Sequence, residues 1–411
     1  MKSMRKILFL ICLFSLSFYS CAIRNSLAPK RGELDAERTF TAQRIKSGKS
    51  AGYFDIPTRL VKTTDRLAIY LQTTYREGIS SYGLNKMAQE FDYYYDDMTN
   101  IYGGHSDIDG NGKIIIVLMD INVNKDTGNV TLAYFNPNDM YSGNRGEVLY
   151  MDLSNANKNI DKSIGTLIHE FQHLINYSHY LSGNRGTMES WLNEALSEST
   201  SILFNKTTAS NRIVEFNQIS YYCFYTWNLP SGYGFVNYPS ASVFMNWLYI
   251  KSGNCSDIFK KIAESTDPAD WNKVLAAAKG CSIDGSDSWE NLLLTWMSDV
   301  VSNNVKIDNT NAVVKTISGD TNLYPGAIVA YNNNNCNVNG NGNIVTRQIG
   351  GSSKTNIVLN KDTSLNSNSY IPVRLKNSFS SGNSLARQRI IENKEETRYI
   401  NILLDENGNI L

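Results

Sequence analysis

The sequence has no excess of charge of either sign, and it contains little histidine. Its 39 lysine and arginine residues balance 39 aspartate and glutamate residues, and only four of the 411 residues are histidine. Proteins that bind nucleic acid usually present clustered positive charge, and no basic run occurs here after the first few residues. We therefore expect no nucleic-acid partner.

Long apolar runs are also scarce. The one that stands out lies at the N-terminus, where a basic start precedes an apolar core from Ile7 to Phe18. This core is too short for a stable membrane span, so residues 1–20 are predicted to be a signal peptide of an exported protein.

Cys21 stands where bacterial lipoprotein signals carry the cysteine that receives lipid. Residues 21–52 are polar and poor in apolar side chains, as a tether between a membrane and a folded domain would be. The alternative is an ordinary cleavage after Ala22, which would release a soluble protein. We favour a cell-surface or outer-membrane lipoprotein, with the lipid as the chain's only contact with the membrane.

Cysteine is rare in the rest of the chain. Four cysteines follow the leader: Cys223, Cys255, Cys281 and Cys336. An even number in an exported protein allows up to two disulfides in any of three pairings, and free thiols are the alternative. The sequence leaves both open.

Two of the four histidines stand four residues apart in the pattern His169-Glu170-Phe-Gln-His173. Positions i and i+4 lie one above the other on a helix, so both imidazoles can reach one zinc ion, and the glutamate between them can act as a base. Apolar residues fall on the opposite side of the same helix, and they are Ile160, Ile164, Leu167, Ile168, Phe171, Leu174 and Ile175. We expect this helix to line the floor of a cleft.

A second acidic pair follows at helical spacing. Glu194 and Glu198 lie opposite an apolar stripe, and a turn at residues 181–186 leaves room for their helix to return beside the first. Catalytic zinc sites usually have three protein ligands, so Glu194 is predicted to be the third. Glu198 is predicted to accept a hydrogen bond from a zinc-bound histidine and to fix its tautomer. The alternative for such a pair is a solvated helix face.

With these motifs the chain resembles the gluzincin zinc metallopeptidases, the clan that includes thermolysin. The run Trp191-Leu-Asn-Glu-Ala-Leu-Ser-Glu198 is most similar to the hyicolysin-type bacterial peptidases. The resemblance implies that His169, His173 and Glu194 bind zinc and that Glu170 is the base. Glu198 takes the place where thermolysin-like enzymes have an aspartate.

The resemblance also implies an α+β fold with a two-lobed catalytic unit. An N-terminal lobe with a sheet and the zinc helix is expected over residues 53–175, and a mainly helical lobe over 176–305. Short β-rich runs separated by polar turns predict a small β-sandwich-like domain over 306–411.

Two further features are implied by the gluzincin resemblance. A tyrosine or histidine after the third ligand stabilises the oxyanion in that clan, and no histidine follows His179 here. Tyr238 is the preferred candidate and Tyr233 the second, although both could simply pack. The strand at 144–152 is expected at a sheet edge, where a substrate could add as an extra strand.

Residues Asp107-Ile-Asp109-Gly-Asn111-Gly112 resemble the first half of a calcium loop. The glutamate expected at position twelve is absent, because Leu118 stands there. The favoured interpretation is a turn that leads into the buried strand 113–119, with Ca²⁺ at Asp107, Asp109 and Asn111 as the alternative.

The sequence therefore predicts an exported zinc-dependent endopeptidase that acts on protein or peptide substrates. One alternative is a gluzincin aminopeptidase, although no Gly-x-Met-Glu-Asn segment precedes His169. The other is a surface-displayed adhesin with a vestigial zinc site. The oligomeric state, the natural substrate and the cleavage preference are not predicted.

Overall fold

The computed structural model describes residues 34–46, 49–75, 78–123, 129–141, 143–226, 236–332, 342–349, 355–362, 373–375 and 398–402. The predicted signal peptide, Cys21, Tyr233 and Cys336 lie outside these residues.

The chain forms two compact units. The first contains Met1–Tyr93, Ser106–Ile160 and Thr397–Leu411, and the second contains Tyr94–His105 and Asp161–Glu396. This division differs from the predicted boundaries at residues 175 and 305, because the strands after residue 306 cluster with the helices before them.

A mixed seven-stranded sheet is the centre of the first unit. Its strands are β1 (Glu37–Lys46), β2 (Lys49–Thr63), β3 (Leu67–Gln72), β4 (Ile114–Met119), β5 (Asn129–Phe135), β6 (Val148–Asp152) and β15 (Arg398–Ile402). The spatial order is β1-β2-β3-β4-β6-β5-β15. Strands β3, β4 and β6 are parallel neighbours, whereas β1, β2 and β3 pair antiparallel and β5 runs antiparallel to β6.

Alternating side chains of this sheet form a buried core. Phe40 contacts Tyr70 edge to face with ring centroids 5.1 Å apart, and Tyr134 stacks on Tyr150 at 4.6 Å. All residues of β4 are buried, as expected for a central strand with parallel neighbours. Burial of each large apolar side chain contributes about 1.5–3 kcal/mol, so this core accounts for much of the sheet's stability.

The structure corrects three expectations about this sheet. Residues 37–46, predicted to belong to the polar tether, form β1, where Phe40 and Ala42 are fully buried on alternate positions. Strand β6 is not at an edge, because β5 covers its outer side, so a substrate has no access to it there. Strand β15, predicted to belong to the C-terminal domain, pairs instead with β5. The β5–β6 and β15–β5 pairings join segments that are separated in the sequence, which local composition does not report, whereas β1 pairs with the adjacent β2.

The helices begin with α1 (Ser81–Tyr102) and the short α2 (Leu153–Lys158). The rest are α3 (Ile160–Leu181), α4 (Ser190–Phe204), α5 (Lys206–Gln218), α6 (Asn237–Lys251), α7 (Asp257–Glu264), α8 (Asp270–Gly280) and α9 (Trp289–Val301). Among the described residues, no helix is long and apolar enough to cross a membrane.

The turn between α3 and α4 positions the site. Gly183, with φ +70°, ends α3 in the left-handed conformation that favours glycine, and the amide of Asn184 donates to the carbonyl of His179. The side chain of Asn176 on α3 then donates to Asn193 Oδ1 on α4 at 2.7 Å. This contact fixes the register of the two helices one turn from the predicted ligands.

Short strands follow the helices within the second unit. They are β7 (Lys306–Ile307), β8 (Thr310–Asn311), β9 (Thr316–Ile317), β10 (Thr321–Leu323), β11 (Ile328–Asn332), β12 (Ile344–Gln348), β13 (Thr355–Asn360) and β14 (Val373–Leu375). Four of them form a sheet in the order β12-β13-β11-β9. The backbones of Tyr222 and Ile328 bridge this sheet to the segment after α5.

The α+β prediction is confirmed, with an N-terminal sheet, a helical middle and a strand-rich C-terminal region. Of the four cysteines after the leader, Cys223, Cys255 and Cys281 are free thiols.

Candidate metal centre

Helix α3 presents His169, Glu170 and His173, and all three side chains are buried. The imidazole rings of His169 and His173 lie 4.8 Å apart between centroids. This closeness follows from their spacing of four residues on one helix, as the sequence predicted.

Helix α4 brings Glu194 to both histidines. Glu194 Oε2 lies 3.2 Å from His169 Nε2 and 3.6 Å from His173 Nε2. The three side chains form a group that could hold a metal ion, with one ligand atom from each. The carboxylate singled out from the sequence is therefore placed beside both imidazoles.

The donor set and its spacing fit zinc. Ligand atoms about 2.0–2.2 Å from a tetrahedral zinc ion stand about 3.3–3.6 Å apart, which matches the two distances from Glu194 Oε2. Two imidazole nitrogens and one carboxylate are a known ligand set of catalytic zinc sites. The other carboxylate oxygen, Glu194 Oε1, is buried without a hydrogen-bond partner. A buried carboxylate oxygen left in this state is costly, so the group favours a cation.

The electrostatic interactions among these side chains also favour a bound cation. Burial lowers the pKa of His173, but the Glu194 carboxylate and then Glu170 outweigh burial and raise it. Burial raises the pKa of Glu194, but the two histidines outweigh that effect and hold it below its usual range. The negative field that favours a proton on His173 is the field that attracts a divalent cation.

Hydrogen bonds select the tautomer of His173. Ser197 Oγ donates to Gln172 Oε1 at 2.5 Å and lies 3.0 Å from His173 Nδ1. Because the Ser197 proton is used towards Gln172, His173 Nδ1 carries the proton and donates it to Ser197. His173 Nε2 is then left with its lone pair on the side of Glu194. Ser197 was not predicted, although it directly precedes Glu198 in the motif.

Glu198 lies beside the outer nitrogen of His169, at 3.6 Å from Nδ1. Arg212 on α5 holds this carboxylate with two hydrogen bonds, from Nε to Oε2 at 2.9 Å and from Nη2 to Oε1 at 2.8 Å. A second carboxylate, Glu215, accepts from Arg212 Nη1 at 2.9 Å. Burial lowers the pKa of Arg212, but the two glutamates outweigh burial and raise it, so Arg212 stays charged. No sequence motif pointed to Arg212.

Tyr238 begins α6 close to the same group. The guanidinium carbon of Arg212 lies 5.0 Å from the centre of the Tyr238 ring. Burial raises the pKa of Tyr238 well above its usual value, and the charge of Glu194 raises it further. Tyr238 therefore keeps its phenolic proton in this environment.

A second group of carboxylates lies in the first unit. Asp107, Asp109 and Glu147 each place one oxygen within 4.8 Å of the others. Burial raises the pKa of Glu147 to about 7 and also raises that of Asp109. Asn111, predicted beside the two aspartates, donates from Nδ2 to Asp109 Oδ2, and its Oδ1 accepts from the amide of Lys113.

Comparison with known proteins bears on the first group. No model of a known protein family matches the chain. Over 209 residues the chain is 31% identical to Neutral metalloprotease ShpI of Staphylococcus hyicus, a match that covers 47% of this chain and 47% of that protein. This chain is similar to a metalloprotease. The chain thus matches about half the length of this relative.

The predicted resemblance to zinc metallopeptidases is confirmed by this similarity together with the His169, His173 and Glu194 group. The activity of this chain is a proposal that starts from these two observations. The role of each residue and the type of peptide cleavage go beyond them.

Proposed function

We propose that the chain is an exported zinc-dependent endopeptidase. The observation that carries this proposal is the convergence of His169 Nε2, His173 Nε2 and Glu194 Oε2 from two helices. The base expected for hydrolysis, Glu170, lies between the two histidines in sequence and is fully buried beside them.

In the proposed reaction His169, His173 and Glu194 hold the zinc ion. Zinc, when bound, polarises the peptide carbonyl and lowers the pKa of a water molecule towards 7. Glu170 accepts a proton from the attacking water at its carboxylate, and it then donates that proton to the nitrogen of the leaving amine. No other group needs to change its protonation state between substrate and products.

Tyr238 is proposed to stabilise the developing oxyanion. The charges of Glu194, Glu198 and Glu170 raise the pKa of its phenol, so the phenol keeps its proton. A neutral hydroxyl beside the reacting carbonyl can donate a hydrogen bond to its oxygen as negative charge develops there. Arg212 limits the movement of the tyrosine ring by lying over its face.

Two residues are proposed to orient the ligands. Ser197 accepts a hydrogen bond from His173 Nδ1, and Glu198 lies at Nδ1 of His169. Outer partners of this kind fix the ring and its tautomer, and their loss typically weakens metal affinity 10–100-fold.

The remaining proposals concern the whole chain. Residues 1–20 are proposed to direct export, and Cys21 to carry a lipid that holds the protein at a membrane surface. The proposed tether, residues 21–52, overlaps β1, which begins at Glu37. The catalytic residues are proposed to act on protein or peptide substrates.

Product analysis tests the endopeptidase proposal. The mature protein is incubated with an unfolded protein substrate, with and without a zinc chelator, and the fragments are identified by mass spectrometry. Internal cuts that stop with the chelator and return with added zinc are expected. Stepwise loss from the N-terminus would instead indicate an aminopeptidase. The absence of any cut by a zinc-loaded protein would favour a binding protein.

A further inference from the structure

The carboxylates of Asp107, Asp109 and Glu147 gather where two parallel strands begin. The loop that carries the two aspartates leads into β4, and Glu147 directly precedes β6. Strands β4 and β6 are parallel neighbours, with Ile115 opposite Val148, and the amide of Ile115 donates to the Glu147 carbonyl at 2.7 Å. Because parallel neighbours start at the same edge of a sheet, the segments before them meet.

The loop itself holds the two aspartates in place. The amide of Gly112 donates to Asp107 Oδ1 at 3.1 Å, and the amide of Asn111 donates to Asp109 Oδ1 at 3.2 Å. Asp109 Oδ2 also accepts from Asn111 Nδ2 at 2.7 Å, so these bonds occupy acceptor positions of both aspartates within the loop. An ordinary turn without a bound ion has the same hydrogen bonds, so these bonds do not by themselves indicate a ligand.

Glu147 provides the observation that a turn does not explain. The residue is fully buried. Its Oε1 accepts from Ser106 Oγ and from the amide of Ile108, both at 2.9 Å, whereas its buried Oε2 has no hydrogen-bond partner. A buried carboxylate oxygen without a partner is destabilising, and Glu147 here forms a group with two other carboxylates.

We propose that Asp107, Asp109 and Glu147 bind a calcium ion. Calcium prefers oxygen ligands at about 2.3–2.6 Å, so oxygens on one ion can stand up to about 5 Å apart, and each of these carboxylates has an oxygen within 4.8 Å of the others. Three formal negative charges face one another, and the charge of Arg38 on Asp109 offsets only part of them. The group contains no nitrogen or sulfur ligand, which disfavours zinc.

Glu147 would take the place of the glutamate that the calcium-loop pattern lacks. Leu118 stands at position twelve because that position lies inside β4, where the side chain is buried in the sheet. The third carboxylate comes instead from the neighbouring strand, so a bound ion would tie the 106–112 loop to the start of β6. We therefore expect calcium to stabilise the first unit.

Ion binding is measured on the full chain loaded with zinc and freed of calcium. Thermal unfolding is followed as calcium chloride is raised to 10 mM, and terbium luminescence with calcium competition gives the dissociation constant. We expect one calcium ion with a dissociation constant of about 10⁻⁴–10⁻³ M, the range of extracellular modules. Magnesium at the same concentration should shift the unfolding temperature less, because it requires a tighter octahedral site.

Variants decide whether this group is the site. Glu147→Gln keeps an acceptor for Ser106 and Ile108 but loses the charge, so it should fold and bind calcium at least about 10-fold more weakly. Asp35→Asn, an exposed carboxylate of the same unit, should respond like the wild type. An equal calcium response in Glu147→Gln, or no response in the wild type, overturns the proposal.

This test does not depend on peptidase activity. His173→Ala removes a proposed zinc ligand in the second unit, and its calcium response should be unchanged. A protein that binds calcium but cleaves nothing would leave this site intact while rejecting the proposed function. A protein that cleaves peptides but shows no response to calcium would reject this site while leaving the proposed function intact.

Discussion

At the scale of single residues, substitution of Glu170 is the most direct test of the proposed mechanism. Its neighbours in sequence are a proposed zinc ligand and the aromatic Phe171, and its side chain is fully buried. The negative charge of Glu170 acts on His173 and on Tyr238. A carboxylate in this position can move a proton but adds no ligand atom to the His169, His173 and Glu194 group.

The first prediction is that Glu170→Gln keeps zinc but loses hydrolysis. The amide has nearly the same shape and cannot accept the proton of the attacking water, so turnover should fall by about 10²–10⁴-fold or more. Turnover and zinc content are measured on the same preparation. Glu264→Gln, on the surface of α7, is the matched control. Near-normal turnover in Glu170→Gln would reject the assigned role.

The second prediction concerns Ser197, which fixes the tautomer of His173. Ser197→Ala removes the acceptor of the Nδ1 proton, so the ring is free to turn and zinc affinity should fall about 10–100-fold. A competition titration against a chelator of known affinity measures this change. Ser201→Ala, one turn later on the same helix, should bind zinc like the wild type. Unchanged affinity in Ser197→Ala would show that His173 is oriented by other groups.

At the scale of elements, α5 supports the site by holding α4. Arg212 reaches from α5 to the Glu198 carboxylate with two hydrogen bonds, and the side chains are 16% and 2% exposed. A buried, bidentate ion pair of this kind is strongly coupled, because the loss of one member leaves the other charge without compensation. The intact pair therefore contributes more to the relative position of α4 and α5 than to the net free energy of unfolding, although removal of one member alone is costly.

The third prediction follows from this coupling. Arg212→Met should destabilise the protein by about 3–5 kcal/mol, because Glu198 is left buried and unpaired. The double variant Arg212→Met with Glu198→Gln should recover most of that loss, since neither charge of this pair remains. Denaturant unfolding of both single variants and the double variant measures the coupling. Equal and additive losses would show that the two residues act independently.

The face of each helix that carries the proposed ligands was predictable from the sequence, because residues at i and i+4 share a face of any helix. The pattern of α3 placed His169 and His173 on one face, and the pattern of α4 predicted that Glu194 would meet them. The structure brings the three together.

Pairing between distant segments was not predictable in this way. Strand β1 was missed for a different reason: it pairs with the adjacent β2 but alternates weakly, since Gln43 and Arg44 interrupt the pattern and a bulge follows at Arg44 and Ile45. Glu147 belongs to no calcium-loop pattern, because it joins the aspartates only through the pairing of β4 with β6. Arg212 likewise meets Glu198 through helix packing. A single sequence contains no local signal for such contacts.

At the scale of the whole molecule, the two proposed metal ions belong to different units. The zinc ligands lie in the unit formed by 94–105 and 161–396, and the calcium ligands lie in the unit that contains the seven-stranded sheet. An ion that binds only the folded state stabilises it by RT ln(1 + [ion]/Kd), or about 4 kcal/mol at a thousand times Kd. Each ion should therefore protect mainly the unit that holds it.

The fourth prediction is that the two ions protect different segments from hydrogen exchange. Removal of zinc should increase exchange in α3 and α4, because the ion joins side chains of both helices. Removal of calcium should increase exchange in the 106–113 loop and at the start of β6. Exchange is compared by mass spectrometry after each ion is removed alone, with the fully loaded protein as the reference.

Variants separate metal loss from any direct effect of the chelator. In His173→Ala the zinc chelator should cause little further exchange, and in Glu147→Gln the removal of calcium should cause little. If zinc removal loosened the 106–113 loop as much as α3, the assignment of one ion to each unit would be wrong. Protection confined to the unit that holds each ion would instead locate both sites by a measurement that requires no substrate.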